Sequence, residues 1–119
     1  MADYEDFTID QGADVAIELR LEETDGTVKD LSFHTARAKM KRSYNATDPS
    51  DIVDFTAIVA EPPEDGTVVL SLSNTQTDNL NPRSTYVYDV ELQYYDSDDN
   101  PIVERILEGK IKVSPSVTR

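Results

Sequence analysis

Apolar residues recur at every second position through much of the chain. Val15, Ile17, Leu19 and Leu21 alternate with Ala16, Glu18, Arg20 and Glu22, the spacing by which a strand turns one face to a core and the other to water. Thr24-Asp25-Gly26-Thr27 follows, and its Asp-Gly pair tolerates positive φ and so predicts a tight hairpin, with Val28 to Leu31 as the short return strand. Phe33 to Arg42 alternates again, with Ala36, Ala38 and Met40 opposite Arg37, Lys39 and Lys41. Ala, Arg, Lys and Met are also good helix formers, but charge placed at period two points to a strand. Ser43 to Ser50 is dense in turn formers and predicts a loop. Val53, Phe55, Ala57 and Val59 supply one face of a further strand. Glu61-Pro62-Pro63-Glu64-Asp65-Gly66 ends it, because proline cannot continue a ladder. Thr67 to Ser73 is the next strand.

Asn74 to Arg83 breaks the alternation. A capping residue followed by a single apolar anchor, Leu80, predicts a short helical turn near 75–80 that crosses the end of a sandwich. The longest alternating run comes next, with Tyr86, Tyr88, Val90, Leu92 and Tyr94 opposite Val87, Asp89, Glu91, Gln93 and Tyr95. Asp96 to Pro101 is a turn, and Ile102 to Val113 is the last strand, with Gly109 a bulge or a point of close packing. About seven or eight strands at regular spacing, and no long helix, predict a single all-β domain over 1–119, an antiparallel immunoglobulin-like β-sandwich. Residues 1–10 form an N-terminal arm or lead strand and 114–119 a C-terminal arm. Tyr86 and Tyr88, at the start of the penultimate strand, are placed to form a tyrosine corner.

Charge narrows the partners. The 119 residues carry 24 acids against 11 Lys and Arg, a net −13 spread evenly along the chain. Such a surface opposes phosphate backbones and anionic membranes, which are bound by displacing counterions with Lys and Arg, so neither nucleic acid nor membrane is an expected partner. No stretch approaches the roughly 20 apolar residues that span a bilayer, and the acidic start, Met1 to Asp6, does not resemble a secretion signal. With no cysteine there is no thiolate metal site or cysteine nucleophile.

Candidate chemistry is sparse. Asp96, Asp98, Asp99 and Asn100 place several oxygens in one turn, as hard cations require. Pro101 and Leu107, however, stand where a calcium loop of the helix–loop–helix type needs glycine and a bidentate glutamate. A solvated hairpin turn is the simpler reading, with calcium shared with a neighbouring chain the alternative. His34 is the one histidine, so no imidazole triad exists, and neither a nucleophile elbow nor a phosphate-cradling glycine loop is present. The expectation is a non-enzyme without a cofactor. Arg37, Lys39, Lys41 and Arg42 hold four of the eleven basic charges. In a background of −13 they predict a ladder paired with acidic neighbours, or a docking patch for an acidic partner. Tyr95 faces outward and Tyr44 lies on a loop, so together they are candidates for a sugar-binding platform.

Taken in order, several motifs resemble a known family. Asp6-Phe7-Thr8-Ile9-Asp10-Gln11-Gly12-Ala13, then Asp25-Gly26-Thr27 with Asp30-Leu31, then Thr35-Ala36-Arg37-Ala38-Lys39-Met40-Lys41 are similar to the start of small tailed-bacteriophage virion proteins. Tyr86 to Leu92 and Leu107 to Arg119 are similar to their finish. The family resembles the immunoglobulin-like N-terminal domain of phage baseplate upper proteins, and the likeness covers nearly the whole chain apart from Ser43 to Pro63. One departure is that Ser32-Phe33-His34 stands where a Thr-Gly-Tyr type of corner is usual. The resemblance implies a structural protein of the virion, made in the host cytoplasm and present in many copies. It would dock to other virion proteins as an adaptor or decoration subunit of the tail or baseplate. A head or neck position, or a carbohydrate- or receptor-binding module, is the alternative. The expected contact residues lie on the two arms (Tyr4, Phe7, Ile9, Val117 and Arg119), on the basic strand (Arg37, Lys39 and Lys41) and at Tyr95.

Overall fold

The computed structural model describes residues 3–118. Among the described residues are nine strands: β1 (Asp3–Tyr4), β2 (Phe7–Asp10), β3 (Val15–Arg20), β4 (Thr35–Lys41), β5 (Ile52–Asp54), β6 (Thr56–Val59), β7 (Thr67–Leu72), β8 (Thr85–Tyr95) and β9 (Pro101–Ser114). An α-helix, α1 (Asn74–Asp78), lies between β7 and β8. The larger sheet runs β1-β9-β8-β4-β5, with β2 also paired to β9, and the smaller runs β3-β7-β6. The alternating apolar positions meet between the two sheets, where Met40, Leu70, Val90, Leu92 and Ile111 are fully buried. Three strands facing a sheet built on β9, β8 and β4, with β5 added beside β4, is the strand arrangement of an immunoglobulin-like sandwich.

Local chemistry explains the elements. Along β8 the even-numbered residues from Tyr86 to Leu92 are buried, while their odd-numbered neighbours are only partly covered. Ser73 caps α1 by accepting from the Gln76 N–H, and the Gln76 side chain returns a bond to the Ser73 N–H, a complete capping box. Leu80 is buried just beyond, the anchor expected there. The Tyr86 hydroxyl accepts the Asn81 N–H at 3.0 Å, which is a tyrosine corner.

Tyr88, two residues on, has another task. Its hydroxyl donates to the Glu5 carbonyl at 2.6 Å, and burial pushes its phenol well above the usual range, so it remains a donor. Gly109 makes this crossing possible. Any Cβ there would collide with the Glu5 carbonyl and press on the Tyr88 ring. Close packing, rather than a bulge, is therefore the role of this glycine, and the register shift between β8 and β9 falls beside Val90 and Glu91 instead.

Two expectations are corrected and one open alternative is decided. Val28 to Leu31 is not a strand: the Asp25-Gly26 turn is present, but its flanks meet at one isolated bridge, Glu22 to Val28. Residues 53–59 do not form one strand. Phe55 is buried at a corner where its N–H bonds the Ala38 carbonyl, and the chain passes from the large sheet in β5 to the small sheet in β6. Of the two readings of the N-terminal segment, the lead strand holds and the free arm does not. Both β1 and β2 pair in parallel with β9, Phe7 beside Ile111 and Ile9 beside Val113. Ile9 is buried in the core and the Phe7 ring lies 5.5 Å from that of Tyr88.

Candidate docking surface

Strand connections gather at two ends of the sandwich. One end carries the segments 11–14, 42–51 and 73–84 and the tail after β9. Gln11 is its clamp: its amide donates to the carbonyls of Asp78 and Leu80, both at 3.2 Å, and its oxygen accepts the Ser116 N–H. The buried Thr77 hydroxyl bonds the Ala13 carbonyl at 2.8 Å, and Asp14 receives the Asn74 N–H at 2.7 Å. Residues far apart in sequence are thus tied together.

The other end carries the segments 21–34, 60–66 and 96–100. These meet where the Leu31 N–H bonds the Pro63 carbonyl, the Leu21 N–H bonds the Gly66 carbonyl, and Lys29 reaches Glu104 at 3.6 Å. Most side-chain bonds here are short-range. Asp25 receives the backbone and hydroxyl of Thr27, and Asp30 receives those of Ser32. These bonds hold both carboxyls below the usual range. Leu31 to His34 is a tight turn closed by the His34 N–H on the Leu31 carbonyl. Leu31 is buried beneath it, whereas Phe33, at its third position, has φ of +64° and is 97% exposed.

His34 Nδ1 lies 2.9 Å from the Ser32 carbonyl, and its ring packs 4.5 Å from that of Tyr94, a structural placement. Tyr95 and Val103 are exposed on the same end of the large sheet, where Gln93 pairs with Val103 and Tyr95 with Pro101.

The predicted site residues do not come together in one place. Phe7 and Ile9 are committed to the scaffold, because packing against Tyr88 and β9 covers the apolar faces a partner would need. Tyr4 is exposed on the edge strand β1. Val117 is exposed beyond the end of β9, and Arg119 lies outside the described residues. Tyr44 and Tyr95 do not share a platform. Tyr44 lines a cleft with Val87, at the opposite end of β8 from Tyr95, and eight strand residues separate positions 87 and 95 by roughly 27 Å.

The basic strand is a charge ladder. Arg37 pairs with Glu91 at 3.0 Å and Lys39 with Asp54 at 3.4 Å, across to β8 and β5. Lys39 and Lys41 also line a cleft of about 290 Å³ with Tyr44, Asp89, Arg105 and Glu108. Arg105 is shared between Asp89 and Glu108, both at 3.4 Å. Burial raises the Asp89 carboxyl and Arg105 opposes that shift. The ladder is paired, and the cleft sets Lys39, Lys41 and Arg105 against Asp89 and Glu108, so neither is a strongly charged patch.

The acidic turn closes on itself. Asp96 accepts the N–H groups of Asp98 and Asn100, both at 2.9 Å. Its carboxylate is thereby spent on the turn and held below the usual range by these bonds. Among the described residues, no group of three or more His, Cys, Asp or Glu side chains is arranged to hold a metal ion.

Sequence pattern alone missed Phe33 as a candidate, because it reads as the start of the alternating run that becomes β4, and the turn that exposes it is visible only in the fold. No family model matches the chain, and no curated protein matches it. Solved structures similar to it include a marsupial T cell receptor, with a TM-score of 0.49 and 9% identity over 97% of this chain. The chain spans 32% of that receptor chain. Murine CRIg is similar with a TM-score of 0.47 and 17% identity, over 92% of both chains.

Proposed function

We propose that the chain is a non-enzymatic structural subunit of a tailed-phage virion, docking to neighbouring virion proteins as an adaptor or decoration module of the tail or baseplate. The observation that carries the docking role is the set of large apolar side chains left in water on a sandwich whose core is closed. Phe33, Tyr95 and Val103 stand at one end, with Tyr44 and Val117 elsewhere. Exposed aromatic groups of this kind are the usual anchors of protein interfaces. The virion setting rests on the ordered motifs of the sequence. Asp6 to Gln11 and Thr35 to Lys41 fold into β2, the Gln11 clamp and β4, so those motifs speak for a shared scaffold and the exposed residues for docking.

The test is co-purification. Particles from a producing host are banded, and the subunit is quantified by mass spectrometry and located with an antibody label. A fixed copy number per particle at the tail or baseplate is expected; a label on the head or neck moves the site of action. Absence from washed particles overturns the proposal. Shortening the tail by Val117 and Thr118 is expected to preserve the fold, whereas removing residues 3–10 is expected to unfold it, since Ile9 leaves the core.

A further inference from the structure

We infer that Phe33 is the anchor of a docking surface at its end of the sandwich, and that the partner is a protein surface with an apolar socket rimmed by lysine and arginine. The inference rests on the docking role above and adds its location and the chemistry of its partner.

Three observations converge. Phe33 occupies a left-handed backbone conformation that a bulky residue seldom adopts, since its Cβ crowds the neighbouring carbonyl. Its ring is 97% exposed, so the fold carries the strain and gains no packing from the ring. An apolar group held this way stands ready for something outside the molecule.

The ring is not alone. Tyr95, 64% exposed, and Val103, 50% exposed, lie at the same end, and together they give a partner more than a single side chain to cover. Beneath them the turn is firm. Leu31 is buried, its N–H is bonded to Pro63, and Asp30 braces Ser32 by two bonds. The ring is therefore presented with little freedom left to lose on binding.

Charge selects the partner. The connections at this end hold four acids in 21–34, three in 60–66 and three in 96–100, against one lysine. That residue, Lys29, is already bound to Glu23 and Glu104. Such a rim repels the same end of a second copy, anionic lipid and nucleic acid, and attracts a cationic protein surface.

The test uses the full chain in two steps. Phe33→Gly is expected to leave the melting temperature unchanged or raise it by a few degrees, because glycine adopts the turn without strain. A fall of several degrees would assign the ring to the scaffold and overturn the inference. The ¹⁵N-labelled wild type and variant are then titrated with an amphipathic helical peptide of leucine and lysine, with an all-lysine peptide of equal charge, and with phosphatidylcholine vesicles. The leucine–lysine peptide is expected to shift the amides of Leu31 to His34 and of Tyr95, and to bind the variant at least tenfold more weakly. The all-lysine peptide is expected to bind both proteins alike. Equal affinity of both proteins for the leucine–lysine peptide, shifts confined to another surface, or vesicle binding lost with Phe33 would each overturn it. Particle incorporation separates this inference from the docking role: a Phe33→Gly subunit that still incorporates normally keeps the role and removes the anchor.

Discussion

The two ends of the sandwich are built on opposite principles. Around α1, side chains bridge distant segments: Gln11 holds carbonyls 67 and 69 residues away, and Thr77 reaches Ala13. Around Phe33, the aspartates bond partners two to four residues along the chain. The first end is part of the cooperative core in all but name, because losing one bond there loosens two segments. The second is a set of turns whose side chains mostly brace their own loop, joined to one another chiefly through backbone bonds such as that of the Leu31 N–H to the Pro63 carbonyl. Loops of the second kind can change their exposed residues without disturbing the core, as a surface adapted to a partner requires.

The sharpest challenge to this contrast is Leu80→Ala. It should cost about 2–5 kcal/mol in urea denaturation, as a buried leucine does when its site cannot collapse. A cost below about 1 kcal/mol would mean that the α1 end is not tied into the core. Thr77→Val should follow at about 1–3 kcal/mol, since the Ala13 carbonyl then loses its hydroxyl donor. Tyr86→Phe should cost about 1 kcal/mol by leaving the Asn81 N–H without its acceptor. At the other end, Phe33→Gly should change stability by about 1 kcal/mol in the stabilising direction, so the pair of ends is separated by the sign as well as the size of the effect.

The smallest effect is one of pH. Asp25, Asp30 and Asp96 have folded-state carboxyls held below the usual range by hydrogen bonds. Each therefore contributes stability that is present above the ordinary carboxylate range and lost as the pH falls through its lowered value. Asp89 is raised by burial, so its contribution has the opposite sign and favours the fold on the acid side. On acidification, amide signals from the turns at 25–33 and 96–100 should hold through the ordinary carboxylate range and move only below it, as the lowered carboxyls protonate, and Asp30→Asn with Asp96→Asn should flatten that dependence. Movement of these amides within the ordinary carboxylate range would contradict the local bracing of the turns.

Much of the architecture was legible along the chain, and the failures have physical causes. The alternation through β8, the Leu80 anchor and the Tyr86 corner are written in local spacing. Phe55 is different: no glycine or proline marks the corner, and its bond to Ala38 on β4 is the last rung on the large sheet before the chain passes to the small one. The sequence leaves the N-terminal segment open between an arm and a lead strand because its partner, β9, lies a whole domain away, and parallel pairing leaves no local turn signal. Among the site residues, the ladder of Arg37 and Lys39 could be foreseen from their shared face. Tyr44 and Tyr95 could not be placed without knowing that β8 runs the length of the sheet between them. Phe33 reads locally as the first apolar residue of a strand, and the turn overrides that reading.

The parallel seating of β2 against β9 also sets the order in which the molecule can be made. Phe7 faces Ile111, so a segment that leaves the ribosome early waits for roughly a hundred further residues before its neighbour exists, and that long closure favours slow folding. Until then Ile9 has no seat, and the Tyr88 hydroxyl has no fixed Glu5 carbonyl to meet. Completion of the final strand is the step that latches the opening segment down, and a nascent chain stalled short of it would expose a sticky, unfinished flank.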